Sequence, residues 1–133
     1  MEKLEHIGIA VKDLTTAQPL FEKLLGQQAY KTELVASEGV KTVFFKVGDV
    51  KIELLEATSE ASPLARSIQK RGEGLHHLAF QVSDMQSSIL VYEQKGFVFT
   101  GEARRGADNK QICFMHPKTT NGVLVELCAD ISS

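Results

Sequence analysis

Four residues of this chain have the types and the spacing to do chemistry together: His6, Glu53, His77 and Glu126. His77 follows His6 by 71 residues, and Glu126 follows Glu53 by 73. Each histidine opens an alternating stretch, His6-Ile-Gly-Ile-Ala-Val and His77-Leu-Ala-Phe-Gln-Val. Each glutamate interrupts an apolar run, Ile52-Glu53-Leu54-Leu55 and Leu124-Val125-Glu126-Leu127. A single histidine at a strand start is usually a satisfied side chain, and a single glutamate in an alternating strand usually faces water. Recurrence at matching positions makes the joint reading stronger than either alone. Two imidazoles and two carboxylates without a thiolate suit one divalent ion, Co²⁺, Mn²⁺, Ni²⁺ or Zn²⁺, with coordination positions left for a substrate.

The elements that would position these residues repeat as well. At a shift of 71, Val11 falls on Val82, Asp13 on Asp84, Glu22 on Glu93 and Phe21 on Tyr92. Ile7, Ile9 and Val11 alternate with His6, Gly8 and Ala10, the period of a strand, and their apolar face should pack on a helix. Asp13 and Asp84 read as helix N-caps, Gly26 and Gly96 as helix ends, giving helices over Leu14–Leu25 and Met85–Lys95. Pro19 inside the first is tolerated only near the first turn or with a kink. Three β-like runs follow in each half: Ala29–Val35, Thr42–Val47 and Val50–Glu56, then Phe97–Ala103, Gln111–Met115 and Val123–Cys128. Gly48-Asp49 makes a tight hairpin, and Ser62-Pro63 caps a short helix reaching Gln69. The expected architecture is α+β: a single domain of two βαβββ modules, 1–58 and 74–133, paired within one chain and joined by a linker at 59–73.

Composition sets the outer limits. The 133 residues are 43% hydrophobic and 24% charged, which fits one globular domain. Fifteen Lys and Arg against 17 Asp and Glu give a net charge of −2, which disfavours a nucleic-acid binder held by phosphate neutralisation. No apolar stretch reaches the ~20 residues of a membrane span, and Met1–Leu4 has no basic lead into an apolar core, so a cytoplasmic location is expected. Cys113 and Cys128 read as reduced, half-buried small hydrophobes. Arg104, Arg105, Lys110 and Lys118 are either solvated surface or the local positive charge that a phosphate-bearing ligand needs. His76, by strand parity opposite His77, reads as a hydrogen-bonded core histidine.

With those residues in place, the chain resembles the vicinal oxygen chelate superfamily and, within it, the methylmalonyl-CoA epimerase family. The resemblance rests on His6-Ile-Gly-Ile-Ala-Val, Lys51-Ile-Glu-Leu-Leu-Glu56, Ser62-Pro63-Leu64-Ala65 through Gly72-Glu-Gly-Leu-His-His-Leu78, Phe114-Met-His-Pro-Lys118 and Gly122-Val-Leu-Val-Glu-Leu127. It implies one divalent metal per chain on His6, Glu53, His77 and Glu126, an acyl-CoA substrate, a homodimer, and epimerisation at C2 through a metal-stabilised enolate. Glu126 would combine metal ligation with acid/base work, and Lys118, Arg104 and Lys110 are the candidates for substrate binding. Two departures stand out. Thr42 occupies a position where some relatives carry a second catalytic glutamate, with Glu38 near it in sequence. Gly106-Ala107-Asp108-Asn109 replaces a Gly-Ala-His-Gly type loop. Glyoxalase I shares the fold and the ligand type, and non-catalytic binding proteins of the superfamily share the cavity; these are the alternatives.

Overall fold

The computed structural model describes residues 1–131; residues 132–133 of the expected second module lie outside them. In chain order the elements are β1 (Lys3–Ala10), α1 (Leu14–Leu25), β2 (Lys31–Val35), β3 (Val40–Val47), β4 (Val50–Ala57), α2 (Pro63–Arg71), β5 (Gly74–Gln81), α3 (Met85–Gln94), β6 (Phe99–Arg105), β7 (Lys110–Met115) and β8 (Val125–Asp130). The βαβββ succession thus occurs twice, with α2 between. Spatially the chain divides into two compact units, Ile7–His76 and Met1–His6 with His77–Ser133. The first six residues, including the first half of β1, therefore belong with the second half of the sequence, while the rest of β1 belongs with α1.

In the unit Ile7–His76, β2, β3 and β4 are antiparallel neighbours, with the last residues of β1 beside β4. One sheet face carries α1: Leu14, Ala17, Phe21 and Leu25 pack on Ile9, Val11, Val43, Phe45, Ile52 and Leu54. That face is the apolar one read from the alternation of β1, and each fully buried Leu or Phe there contributes roughly 1.5–3 kcal/mol. The opposite face receives α2, where Leu64 and Ile68 meet Ala10, Val40, Leu55 and Ala57. Asp13 caps α1 by accepting the Thr15 amide at 2.9 Å, and Gly26 closes it at φ 66. Pro19 sits at the sixth helical position, and the helix continues through it. Ser62 caps α2, accepting from the Ala65 amide at 3.2 Å, with Pro63 as first residue. Val47 and Val50 pair across Gly48-Asp49, confirming the two-residue hairpin.

In the other unit, β5 and β8 run parallel and β6, β7 and β8 antiparallel, with the first residues of β1 beside β5. α3 covers one face through Met85, Ile89 and Tyr92, packed on Phe80, Val82, Cys113, Met115, Leu127 and Ala129. The other face carries Ala79, Ile112, Phe114 and Cys128. Both cysteines are outside any disulfide among the described residues and fully buried rather than half-buried, and burial pushes the Cys113 thiol above its ordinary range. The Asp84 side chain, unlike Asp13, makes no cap hydrogen bond, and α3 ends at Gln94 with Lys95 as cap, one residue before the expected glycine. The β6–β7 loop explains its unusual sequence. Asp108 and Asn109 both take positive φ, 58° and 57°, as a type I′ turn requires, and Asn and Asp tolerate that region better than most side chains.

Gly39 is the tightest contact around α2. It has φ +67, and a Cβ there would lie 2.7 Å from the Ser62 Cβ. Gly39→Ala should cost about 2–4 kcal/mol in urea denaturation, since strain and overlap both act. Gly26→Ala, at a similar φ with nothing within 4 Å of the added carbon, should cost only the backbone share, about 1 kcal/mol.

Candidate metal centre

His77 stands on β5 in the same phase as Ala79, and Ala79 is the parallel register partner of Glu126 on β8. Side chains two apart in a strand share a face, so register alone sets His77 and Glu126 side by side. The first residues of β1 bring His6 to the same face. The two imidazole Nε2 atoms are 3.0 Å apart, and the Glu126 carboxylate oxygens lie 3.5 Å from His6 Nε2 and 3.4 Å from His77 Nε2. The rings meet edge-on, with an interplanar angle of 87°. All three residues are buried.

These separations fit one ion. Donor atoms on ~2.1 Å bonds to a single metal lie roughly 3.0–3.5 Å apart when the angles fall between a right angle and a tetrahedral one. A mixed nitrogen and oxygen donor set also fits the intermediate divalent ions. Of the four ligands read from the sequence, His6, His77 and Glu126 are thus brought together within one unit. Glu53 belongs to the other unit. There it is 4% exposed on the β4 face that also bears Leu55, with Phe44 as its cross-strand neighbour.

Around the three donors the lining is aromatic, then cationic. The His77 ring meets Phe114 edge-on at 5.7 Å, and the Arg104 guanidinium stands 5.5 Å from the centre of the Phe114 ring. Arg104 is the substrate-binding candidate that this face places one ring away from His77. Lys110 lies farther along the same face, where its Nζ donates to Gln81 Oε1 at 3.3 Å and to Asp130 Oδ1. Lys118 is exposed in the 3-10 turn Pro117–Thr119, whose start is capped by His116 through a 3.1 Å bond from the Lys118 amide to Nδ1. His76 is half-buried, and burial, assisted by the Arg71 charge, pushes its pKa below the ordinary histidine value.

Set beside known proteins, residues 5–114 match the family model described as the glyoxalase/bleomycin resistance protein/dioxygenase superfamily. The human mitochondrial methylmalonyl-CoA epimerase is 35% identical over 94% of this chain and 72% of its own length. The Bacillus subtilis uncharacterized protein YqjC is 39% identical over 96% of this chain and 92% of its own. A Streptomyces coelicolor methylmalonyl-CoA epimerase variant, solved in complex with 2-nitronate-propionyl-CoA, superposes with TM-score 0.93 at 32% identity, covering 99% of this chain and 96% of that one. The chain belongs to the methylmalonyl-CoA epimerase family of that superfamily.

Two residues of this family member escaped the sequence reading. Glu5 is 4% exposed, and its Oε1 lies 2.8 Å from His6 Nδ1. The available signal was a carboxylate in the strand phase of Ile7 and Ile9, directly before His6. Phe114, the ring between His77 and Arg104, gave no signal beyond its place in an apolar run. Thr42 is fully buried, and its hydroxyl has no hydrogen-bond partner among the described residues. The carboxylate across from it in register is Glu33 on β2, paired with Lys31 at 3.1 Å; Glu38 sits half-buried in the 3-10 turn Ala36–Glu38.

A buried hydroxyl without a partner carries its full desolvation cost. Thr42→Val removes that hydroxyl at nearly constant shape, so it should raise the unfolding free energy by about 1 kcal/mol and leave turnover unchanged. A tenfold fall in turnover would show instead that the hydroxyl takes part in the reaction.

Proposed function

We propose that this protein is an isomerase that interconverts the C2 epimers of methylmalonyl-CoA. The observation that carries the reading is the convergence of His6 Nε2, His77 Nε2 and the Glu126 carboxylate on one buried point. The family to which the chain belongs supports the substrate.

The hydrogen to be moved lies between a thioester and a carboxylate. Its removal puts negative charge on the thioester oxygen, and a positioned group is needed to take the proton. Glu126 is that group in this reading: it is buried, held beside both imidazoles, and a carboxylate acting as general base contributes typically about 10²- to 10⁴-fold. A divalent ion held by His6, Glu53, His77 and Glu126 would supply electrostatic stabilisation of the charge on oxygen without proton transfer of its own. What supports Glu53 as the fourth ligand is the repeat in the sequence. Which of Co²⁺, Mn²⁺, Ni²⁺ and Zn²⁺ serves in the cell follows from availability more than from these donors. Arg104, with its charge beside Phe114, and Lys110 and Lys118 are the candidates for the coenzyme's phosphates and the substrate carboxylate.

The same reading takes the protein as a single domain of modules 1–58 and 74–133 joined at 59–73, acting as a cytoplasmic homodimer. The family resemblance supports the dimer. No helix among the described residues is long and apolar enough to cross a membrane.

The test is incubation of metal-loaded protein with one epimer of methylmalonyl-CoA in D₂O, beside a chelated control and Glu126→Gln. Wild type should incorporate deuterium at C2 and form the other epimer. The chelated sample should do neither, and Glu126→Gln should lose at least about 10²-fold in turnover while its folded structure persists. Metal-loaded wild type that shows neither exchange nor inversion, yet turns over the hemithioacetal of methylglyoxal and glutathione, would move the assignment to the glyoxalase I reaction.

A further inference from the structure

We propose that Glu5 is a positioning residue of the metal centre: its carboxylate accepts a hydrogen bond from the Nδ1–H of His6 and thereby presents Nε2 to the ion. The inference rests on the metal-site reading above and adds a residue to it.

Three observations meet at this side chain. First, Glu5 is buried, at 4% exposure, whereas Lys3, two residues before it on β1, is exposed. A carboxylate taken out of water there needs a strong compensating bond. Second, its Oε1 lies 2.8 Å from His6 Nδ1, within the range of a charge-assisted hydrogen bond. Third, the opposite nitrogen of the same ring, Nε2, is the atom that faces His77 Nε2 at 3.0 Å and Glu126 at 3.5 Å.

A neutral imidazole carries one ring proton, so the two nitrogens cannot both act as acceptors. If the proton rests on Nδ1 against Glu5, the Nε2 lone pair is committed to the donor cluster. Without Glu5, the proton is free to choose either nitrogen and the ring is free to turn about its χ2 axis. Hydrogen bonds from metal-ligating histidines to a carboxylate orient the ring and raise its basicity, and their loss typically weakens metal binding 10- to 100-fold.

Cys128 marks the limit of the cluster. Its thiol and the donor atoms of Glu5 and His6 lie within 4.8 Å of one another, and its Sγ approaches Phe80 O at 3.6 Å and Gln81 Oε1 at 3.7 Å. The thiol therefore lies beside both Glu5 and His6, and Glu5 and His6 sit among buried protein atoms.

The test uses the full-length protein with Zn²⁺. Long-range ¹H–¹⁵N spectra of the zinc-loaded wild type should show His6 protonated at Nδ1 and metallated at Nε2. Zinc dissociation constants, measured by competition with a chromophoric chelator, should rise 10- to 100-fold in Glu5→Ala. They should rise by less in Glu5→Gln, whose amide oxygen keeps the hydrogen bond but not the charge. Circular dichroism of the metal-free variants separates this from unfolding, and if Glu5→Ala does not fold, Glu5→Gln and the wild-type spectrum decide. An unprotonated Nδ1 in the zinc-loaded wild type, or zinc binding within twofold of wild type in a folded Glu5→Ala, overturns the proposal. Wild type that binds no divalent metal at all overturns the metal-site reading and this inference with it.

Discussion

The constraint on which the rest depends is the burial of two imidazoles and a carboxylate within 3.5 Å of one another. Three polar groups taken out of water cost several kcal/mol unless each is compensated, so every strand that carries one must be held in register. The parallel pairing of β5 with β8 does this for His77 and Glu126, since a slip of one residue would turn either side chain to the α3 face. For His6 the device is different. The first six residues leave the module they begin and join the unit built from the second half of the chain. The amide of Glu2 donates to Gln81 O at 2.8 Å, fastening that segment beside β5.

Each unit divides its labour between two sheet faces. The faces under α1 and α3 are apolar and supply packing, through α1 on Phe45 and Leu54 in one unit and α3 on Met115 and Leu127 in the other. The opposite faces carry the buried polar groups: Glu53 and Thr42 in one, on the face that also receives α2, and His77 and Glu126, with Arg104 and Lys110, in the other. A strand of period two makes this division possible, because alternate residues can answer to stability and to function independently. Cys128 and Ile112 fill the chemical face beyond the donors, so the polar cluster is walled by close-packed side chains.

Much of this was legible in the sequence for a physical reason: periodicity and caps are local. Helix α1 runs Leu14–Leu25 as the Asp13 and Gly26 signals require, α2 starts at Ser62-Pro63, and His6, His77 and Glu126, which the structure brings together, stood out by recurrence at matching positions in the two halves. Boundaries drifted where the signal was weak. β8 begins at Val125 rather than Val123, because Asn121 and Gly122 at positive φ extend the turn before it. Asp84 resembles Asp13 in sequence, but its side chain makes no cap bond. The tying of Lys110 to Asp130 and Gln81, and of Glu5 to His6, depends on which long side chains meet across strands. No pattern of residue types encodes that.

Zinc-edge X-ray absorption of the fully loaded protein addresses the central claim, that the ion belongs to His6, His77 and Glu126. A second trio, Glu5, His6 and Cys128, also places donor atoms within 4.8 Å of one another, and it differs in containing sulfur. The account predicts a first shell of nitrogen and oxygen at about 2.0–2.2 Å with the outer-shell signature of two imidazoles. A sulfur scatterer at about 2.3 Å, with one imidazole, would place the ion on Cys128 instead and contradict it.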